Sequence, residues 1–74
     1  MIDNEHIARQ IKAIRKLNGL TQVQFARRLG IGKPIISAIE SNRLICSDEQ
    51  LRRICEEFNV NRDLFVEEVQ SWIK

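Results

Sequence analysis

Few of the 74 side chains could do covalent or metal chemistry: two cysteines, one histidine and ten carboxylates. Cys46 and Cys55 fit neither a CxxC metal knuckle nor a redox motif, and His6 is too remote in sequence to complete a ligand set. Both cysteines therefore read as reduced, mostly buried small apolar residues, and no metal or other cofactor is expected. No carboxylate pair and no nucleophile with a base occurs at usable spacing, so the chain does not read as an enzyme. The chemistry that remains is that of cations meeting a polyanion. Residues 1–46 carry eight Lys or Arg against three acids, whereas residues 47–74 carry four against seven. A formal charge of +2 thus conceals a basic half at +5 and an acidic half at −3.

Helices must position those cations, because no stretch alternates apolar and polar residues with strand spacing. Asp3 or Asn4 can cap a first helix in which Ile7, Ile11, Ile14 and Leu17 recur on one side, and Gly19 supplies its left-handed stop. Thr21 and Gln24 form a T-x-x-Q capping box for a second, short helix with Phe25, Ala26 and Leu29 inward, closed by Gly30. Gly32 and Pro34 open a third helix that runs to about Ser41. On it Ile36, Ile39 and Glu40 share one side with Ile35 at the border. Lys33, Pro34, Ser37, Ala38 and Ser41 share the other, which holds no large apolar residue.

Ser47 and Gln50 repeat the capping box before a fourth helix with Leu51, Ile54, Cys55 and Phe58 inward. Asn61 caps a last helix over 61–73, lined by Leu64, Phe65, Val69, Trp72 and Ile73. The expectation is one all-α domain over 1–74: a compact five-helix domain with no linker and no room for a sensor. Such a small domain is only marginally stable alone. The polar start and the lack of a long apolar run exclude a secretory signal and a membrane span, so a cytoplasmic protein is expected.

The segment Leu20–Arg43, LTQVQFARRLGIGKPIISAIESNR, has the mechanics of a helix-turn-helix. A small Ala26 and a glycine at the helix exit let the next helix cross steeply. That helix then offers a slim polar face to the roughly 12 Å major groove of B-DNA. Glu40, on the inner side, requires a cation, and Arg15 lies on a suitable edge of the first helix.

At Thr21-Gln22, Phe25-Ala26, Leu29-Gly30-Ile31, Ile36-Ser37, Ile39-Glu40 and Asn42-Arg43 the chain resembles the phage-repressor and Cro type of regulators, the Xre family. The resemblance implies a lambda-repressor-like DNA-binding domain, usually a dimer on a two-fold operator. It places Lys33, Pro34, Ser37 and Ala38 against base edges and Thr21, Gln22, Ser41, Asn42 and Arg43 near phosphates. It also joins Arg15 to Glu40 in a structural ion pair. Pro34 departs from the family, where a polar residue often stands, so this face should lean on phosphate contacts and DNA shape. Arg27 and Arg28 read as solvated or general electrostatic residues.

The apolar stripe of the last helix has two readings. Leu64 and Phe65 suffice to seal a four-helix core, yet Phe65, Val69, Trp72 and Ile73 could form a two-fold dimer interface, or the stripe could fold back on Ile2 and Ile7. The leading functional reading is a sequence-specific regulator of double-stranded DNA, a repressor or autoregulator. A phage repressor, a restriction-modification controller and an antitoxin all fit that class. The alternative is an antitoxin-type or protein-interaction module that uses the last helix to hold a toxin or effector.

Overall fold

The computed structural model describes residues 4–65. Four helices occupy them, α1 (Asn4–Leu17), α2 (Gln22–Leu29), α3 (Lys33–Glu40) and α4 (Asp48–Phe58), followed by a 3-10 turn at Arg62–Phe65. The all-α expectation holds among the described residues, with the 3-10 turn where a fifth helix was expected to begin. Asp3 and Ile2, like Val69, Trp72 and Ile73, lie outside the described residues.

Both capping boxes form as their spacing demands. Thr21 Oγ1 accepts from the Gln24 amide at 3.1 Å, and the Thr21 amide donates back to Gln24 Oε1 at 2.9 Å. Ser47 and Gln50 repeat the pair at 3.1 and 2.9 Å. Each box satisfies amides that a helix start leaves without an acceptor, an effect of about 1 kcal/mol. The exits are equally local: Gly30 takes φ +68° and Asn59 φ +55°, the left-handed conformation that ends a helix. Pro34, in the first turn of α3, removes an amide that had no intrahelical partner to lose.

Among the described residues the core is a single cluster. Ile7, Ile11 and Ile14 of α1 meet Phe25, Ala26 and Leu29 of α2, Ile36 and Ile39 of α3, and Leu51, Ile54 and Cys55 of α4. Cys46 and Phe65 close it from the connecting segments. Helix α3 packs on α1 and α2, α2 packs on α4, and the 3-10 turn rests on α1 and α4.

Three expectations are corrected here. Leu17 follows the apolar spacing of α1 yet is 86% exposed, because it stands in the last turn, where the chain leaves toward Gly19. Phe65, expected at a dimer interface, is 1% exposed and fills the core, so its ring is not available to a second copy. Leu64, expected inward, is 39% exposed. A tether accompanies the docking of Phe65: the His6 ring donates from Nε2 to the Leu64 carbonyl at 2.9 Å, joining the start of α1 to the 3-10 turn.

Candidate nucleic-acid interface

The turn between α2 and α3 is built on one carbonyl. Ala26 C=O accepts from the amides of Gly30 and Ile31, the latter at 3.0 Å, so the chain reverses within two residues of the end of α2. A Cβ at Gly30 would be strained by the positive φ and would also lie 3.3 Å from the Arg53 guanidinium of α4. Helix α3 thereby leaves at the angle that buries Ile36 and Ile39 at 0% and 2% exposure. Its opposite side carries the exposed Lys33 and Pro34 and the half-buried Ser37 and Ala38. These are the four residues assigned to base edges, and helical geometry sets them on one face.

The orientation of that face depends on a buried ionic junction. Arg15 donates from Nε to Glu40 Oε2 at 2.8 Å and from Nη2 to Oε1 at 3.0 Å, a two-pronged contact. Its Nη1 donates to the Leu20 carbonyl at 2.9 Å. Gln22 Nε2 adds a third donor to Glu40 Oε1, at 3.1 Å. The Arg15 and Glu40 side chains are 12% and 3% exposed, and their polar atoms are satisfied. One carboxylate thus ties the last turn of α1, the first turn of α2 and the last turn of α3 together. The structural role expected of Arg15 and Glu40 matches this geometry.

The donors available to phosphates can be sorted in the same way. Thr21 and Gln22 stand at the start of α2, where the amides of Gln22 and Val23 have no intrahelical acceptor. Gln22 keeps one side-chain hydrogen beyond the one given to Glu40. In the segment after α3, the amides of Ser41, Asn42, Arg43 and Leu44 are all bound to the carbonyls of Ser37, Ile39 and Ala38. Asn42 takes φ +62° to make this possible, a conformation Asn tolerates better than most residues. Side chains, not backbone, are therefore what this segment can offer.

Among those side chains, Ser41 differs from its neighbours. Its single hydroxyl proton faces the carbonyls of Ser37 at 2.9 Å and Ala38 at 3.2 Å, and its oxygen accepts from Arg43 Nε at 2.8 Å. Asn42 and Arg43 are exposed, with the two outer nitrogens of the Arg43 fork uncommitted.

Tertiary pairing also separates structural cations from available ones. Arg28, in the basic half, donates to Glu57 of α4 at 2.9 Å and lies 4.9 Å above the Phe58 ring, which stacks on Phe25 at 5.0 Å. Arg9 stands 3.7 Å from Glu5. In the basic half Lys12, Lys16, Arg27, Lys33 and Arg43 have no carboxylate partner among the described residues, and neither do Arg52 and Arg53 of α4. The Arg28 pairing was beyond sequence reasoning, because its partner is 29 residues away and on another helix. The i, i+2 spacing of Ser41 and Arg43 was the local signal for their contact.

Both cysteines are free and buried, in keeping with their reading as small core residues. Burial first, then the charges of Asp48 and of Cys55, pushes the Cys46 thiol up to about 11. Burial also raises Cys55. Among the described residues no helix is long and apolar enough to cross a membrane.

This architecture matches known proteins. A family model described as helix-turn-helix, HTH_3, matches residues 11–65. The antitoxin PezA of Streptococcus pneumoniae is 40% identical over 55 residues, which is 74% of this chain and 35% of that protein. An uncharacterized HTH-type transcriptional regulator of Bacillus subtilis, YazB, is 36% identical over 55 residues and is covered over 80% of its length. Among solved structures, an HTH_3 family transcriptional regulator from Vibrio cholerae superposes with a TM-score of 0.76 at 26% identity, over 84% of this chain and 35% of that one. A point mutant of the restriction-modification controller protein C.Esp1396I also gives 0.76, at 27% identity, over 99% of this chain and 95% of that one. The chain spans about a third of the pneumococcal relative and of the Vibrio structure. With its capping boxes, turn and two-faced α3 in register with that pattern, the chain belongs to the HTH_3 family of Xre/Cro-type helix-turn-helix DNA-binding transcriptional regulators.

Proposed function

We propose that this chain is a sequence-specific repressor or autoregulator that binds a two-fold operator as a dimer. The observation that carries the reading is the division of α3: one side is locked by Ile36, Ile39 and the Arg15–Glu40 junction, and the other is small, polar and open. A rigidly held helix with no bulky residue outward suits insertion into the major groove. Lys33, in the first turn, donates to guanine O6 and N7. Ser37 donates or accepts, Ala38 touches a thymine methyl, and Pro34 contributes shape. Thr21, Gln22, Asn42 and Arg43 hold phosphates on either side of the groove. The second copy is held by Val69, Trp72 and Ile73, without Phe65, which the core has taken.

Selection of bound duplexes from a random pool tests this directly. The expected result is an enriched inverted repeat whose half-sites lie about one helical turn apart. Recovery of no sequence, or retention that ignores salt, overturns it, since phosphate contacts must weaken steeply as salt rises. Light scattering at micromolar concentration should give a dimer that Trp72→Ala dissociates, and a wild-type monomer would remove the two-fold part.

A second reading is favoured by one observation, the 40% identity to a protein named as an antitoxin. In that case the apolar residues beyond 65 hold a toxin, and the DNA-binding face is left free. Salt-insensitive capture of a purified toxin, lost in Trp72→Ala, would separate it from simple dimerisation.

A further inference from the structure

We infer that Ser41 is a positioning residue for Arg43 and does not itself contact DNA, an inference that rests on reading Arg43 as a phosphate contact. A serine hydroxyl has one proton. Here it faces the carbonyls of Ser37 and Ala38, at 2.9 and 3.2 Å, so it has none left for a phosphate oxygen. Its lone pair accepts from Arg43 Nε at 2.8 Å. The Arg43 amide is bound as well, to the Ala38 carbonyl at 2.8 Å. The arginine is therefore held at both ends of its flexible stem, by backbone at its root and by Ser41 at Nε.

The two outer nitrogens of Arg43 remain as a free fork, the arrangement that grips a phosphate bidentately. The rotamer freedom that a long exposed arginine would lose on binding is already partly spent, so less is lost when DNA arrives. The brace also runs through the carbonyls of Ser37 and Ala38, two of the residues assigned to base edges, so the backbone of the reading helix and the phosphate clamp move as one unit.

The test is a mutant cycle on the intact chain, with a short mixed-sequence duplex at low salt as the probe, so that no operator need be known. Arg43→Ala is expected to weaken binding and to reduce the slope of log affinity against log salt by about 1. Ser41→Ala should weaken binding about threefold, the worth of one hydrogen bond that orders a side chain, with thermal stability unchanged. Ser41→Thr, which keeps the hydroxyl, should restore it. In an Arg43→Lys background, where the Nε donor is gone, Ser41→Ala should have no effect.

If Ser41→Ala costs the same affinity with Lys at 43 as with Arg, the brace is wrong and Ser41 touches DNA itself. If Ser41→Ala has no effect in the wild-type chain, the brace does nothing. If Arg43→Ala alone leaves affinity and salt slope unchanged, the reading of Arg43 fails and the brace with it, a result distinct from the other two.

Discussion

Arg15 and Arg43 have the same side chain and are both held by oxygen atoms, yet the protein uses up one and leaves the other largely open. Arg15 spends Nε and Nη2 on Glu40 and Nη1 on the Leu20 carbonyl, at 12% exposure. Arg43 spends only Nε, on Ser41, and is exposed. The difference teaches how an arginine's role is to be read here: by how much of its fork the protein consumes. Arg15, with all three nitrogens bound, organises the fold, whereas Arg43, with two of three left, is the one proposed above to take a phosphate. Arg28 stands between them, with one nitrogen on Glu57 and its flat face over Phe58.

The comparison can be broken most forcefully at the buried end. Arg15→Ala leaves the Glu40 carboxylate buried with only Gln22 as partner, and should cost about 3 kcal/mol in urea or thermal unfolding. A loss under about 0.5 kcal/mol, the range of an exposed pair, would remove the distinction between the two arginines.

At the exposed end the expected effects are on recognition. Lys33→Ala should cost about 2 kcal/mol of discrimination at one base pair of the selected sequence, with the melting temperature preserved. A uniform loss over all sequences would reassign Lys33 to a phosphate.

The turn that sets the two ends apart can be tested more gently. Gly30→Ala should destabilise by about 1 kcal/mol through its left-handed φ, the Arg53 side chain moving aside. No change in the denaturation midpoint would mean that the turn readily adopts another conformation.

The last test concerns the far anchor of the Arg43 loop. The Cys46 thiol titrates about 11 when folded and near its ordinary 9.0 when unfolded, so the unfolded chain releases its proton first. Its contribution is complete below pH 9 and is lost as pH rises toward 11. Wild type should therefore lose more stability than Cys46→Ala between pH 8 and pH 10, and parallel losses would show that the thiol stays exposed to water.

Much of this was legible in the chain itself. Thr21 with Gln24 and Ser47 with Gln50 place helix starts without knowledge of the rest, because a capping box closes within four residues. Gly30 and Pro34 are equally local. Glu40 announced its need for a cation because the helical period set it beside Ile36 and Ile39, where a lone carboxylate is costly. Leu17 went wrong for the complementary reason: its spacing is right, but a helical period does not say where the neighbouring elements end. Phe65 was open to both the core and a dimer interface, since an apolar stripe does not reveal which of its members the core will claim.

The sequence by itself determined the helices, their stops, the two faces of α3 and the imbalance of charge, since each depends on contacts within a few residues or on composition. Only the tertiary structure decided which cations are spent, because Arg15 and Glu40 are 25 residues apart and Arg28 and Glu57 are 29 apart. Such pairs form where packing brings two helices together, and no local period encodes that. The eight cations of the basic half are thereby reduced to Lys12, Lys16, Arg27, Lys33 and Arg43 without an acidic partner among the described residues. An arginine already holding a carboxylate offers a phosphate little further gain, so these five are the cations of the basic half with charge left to offer a polyanion.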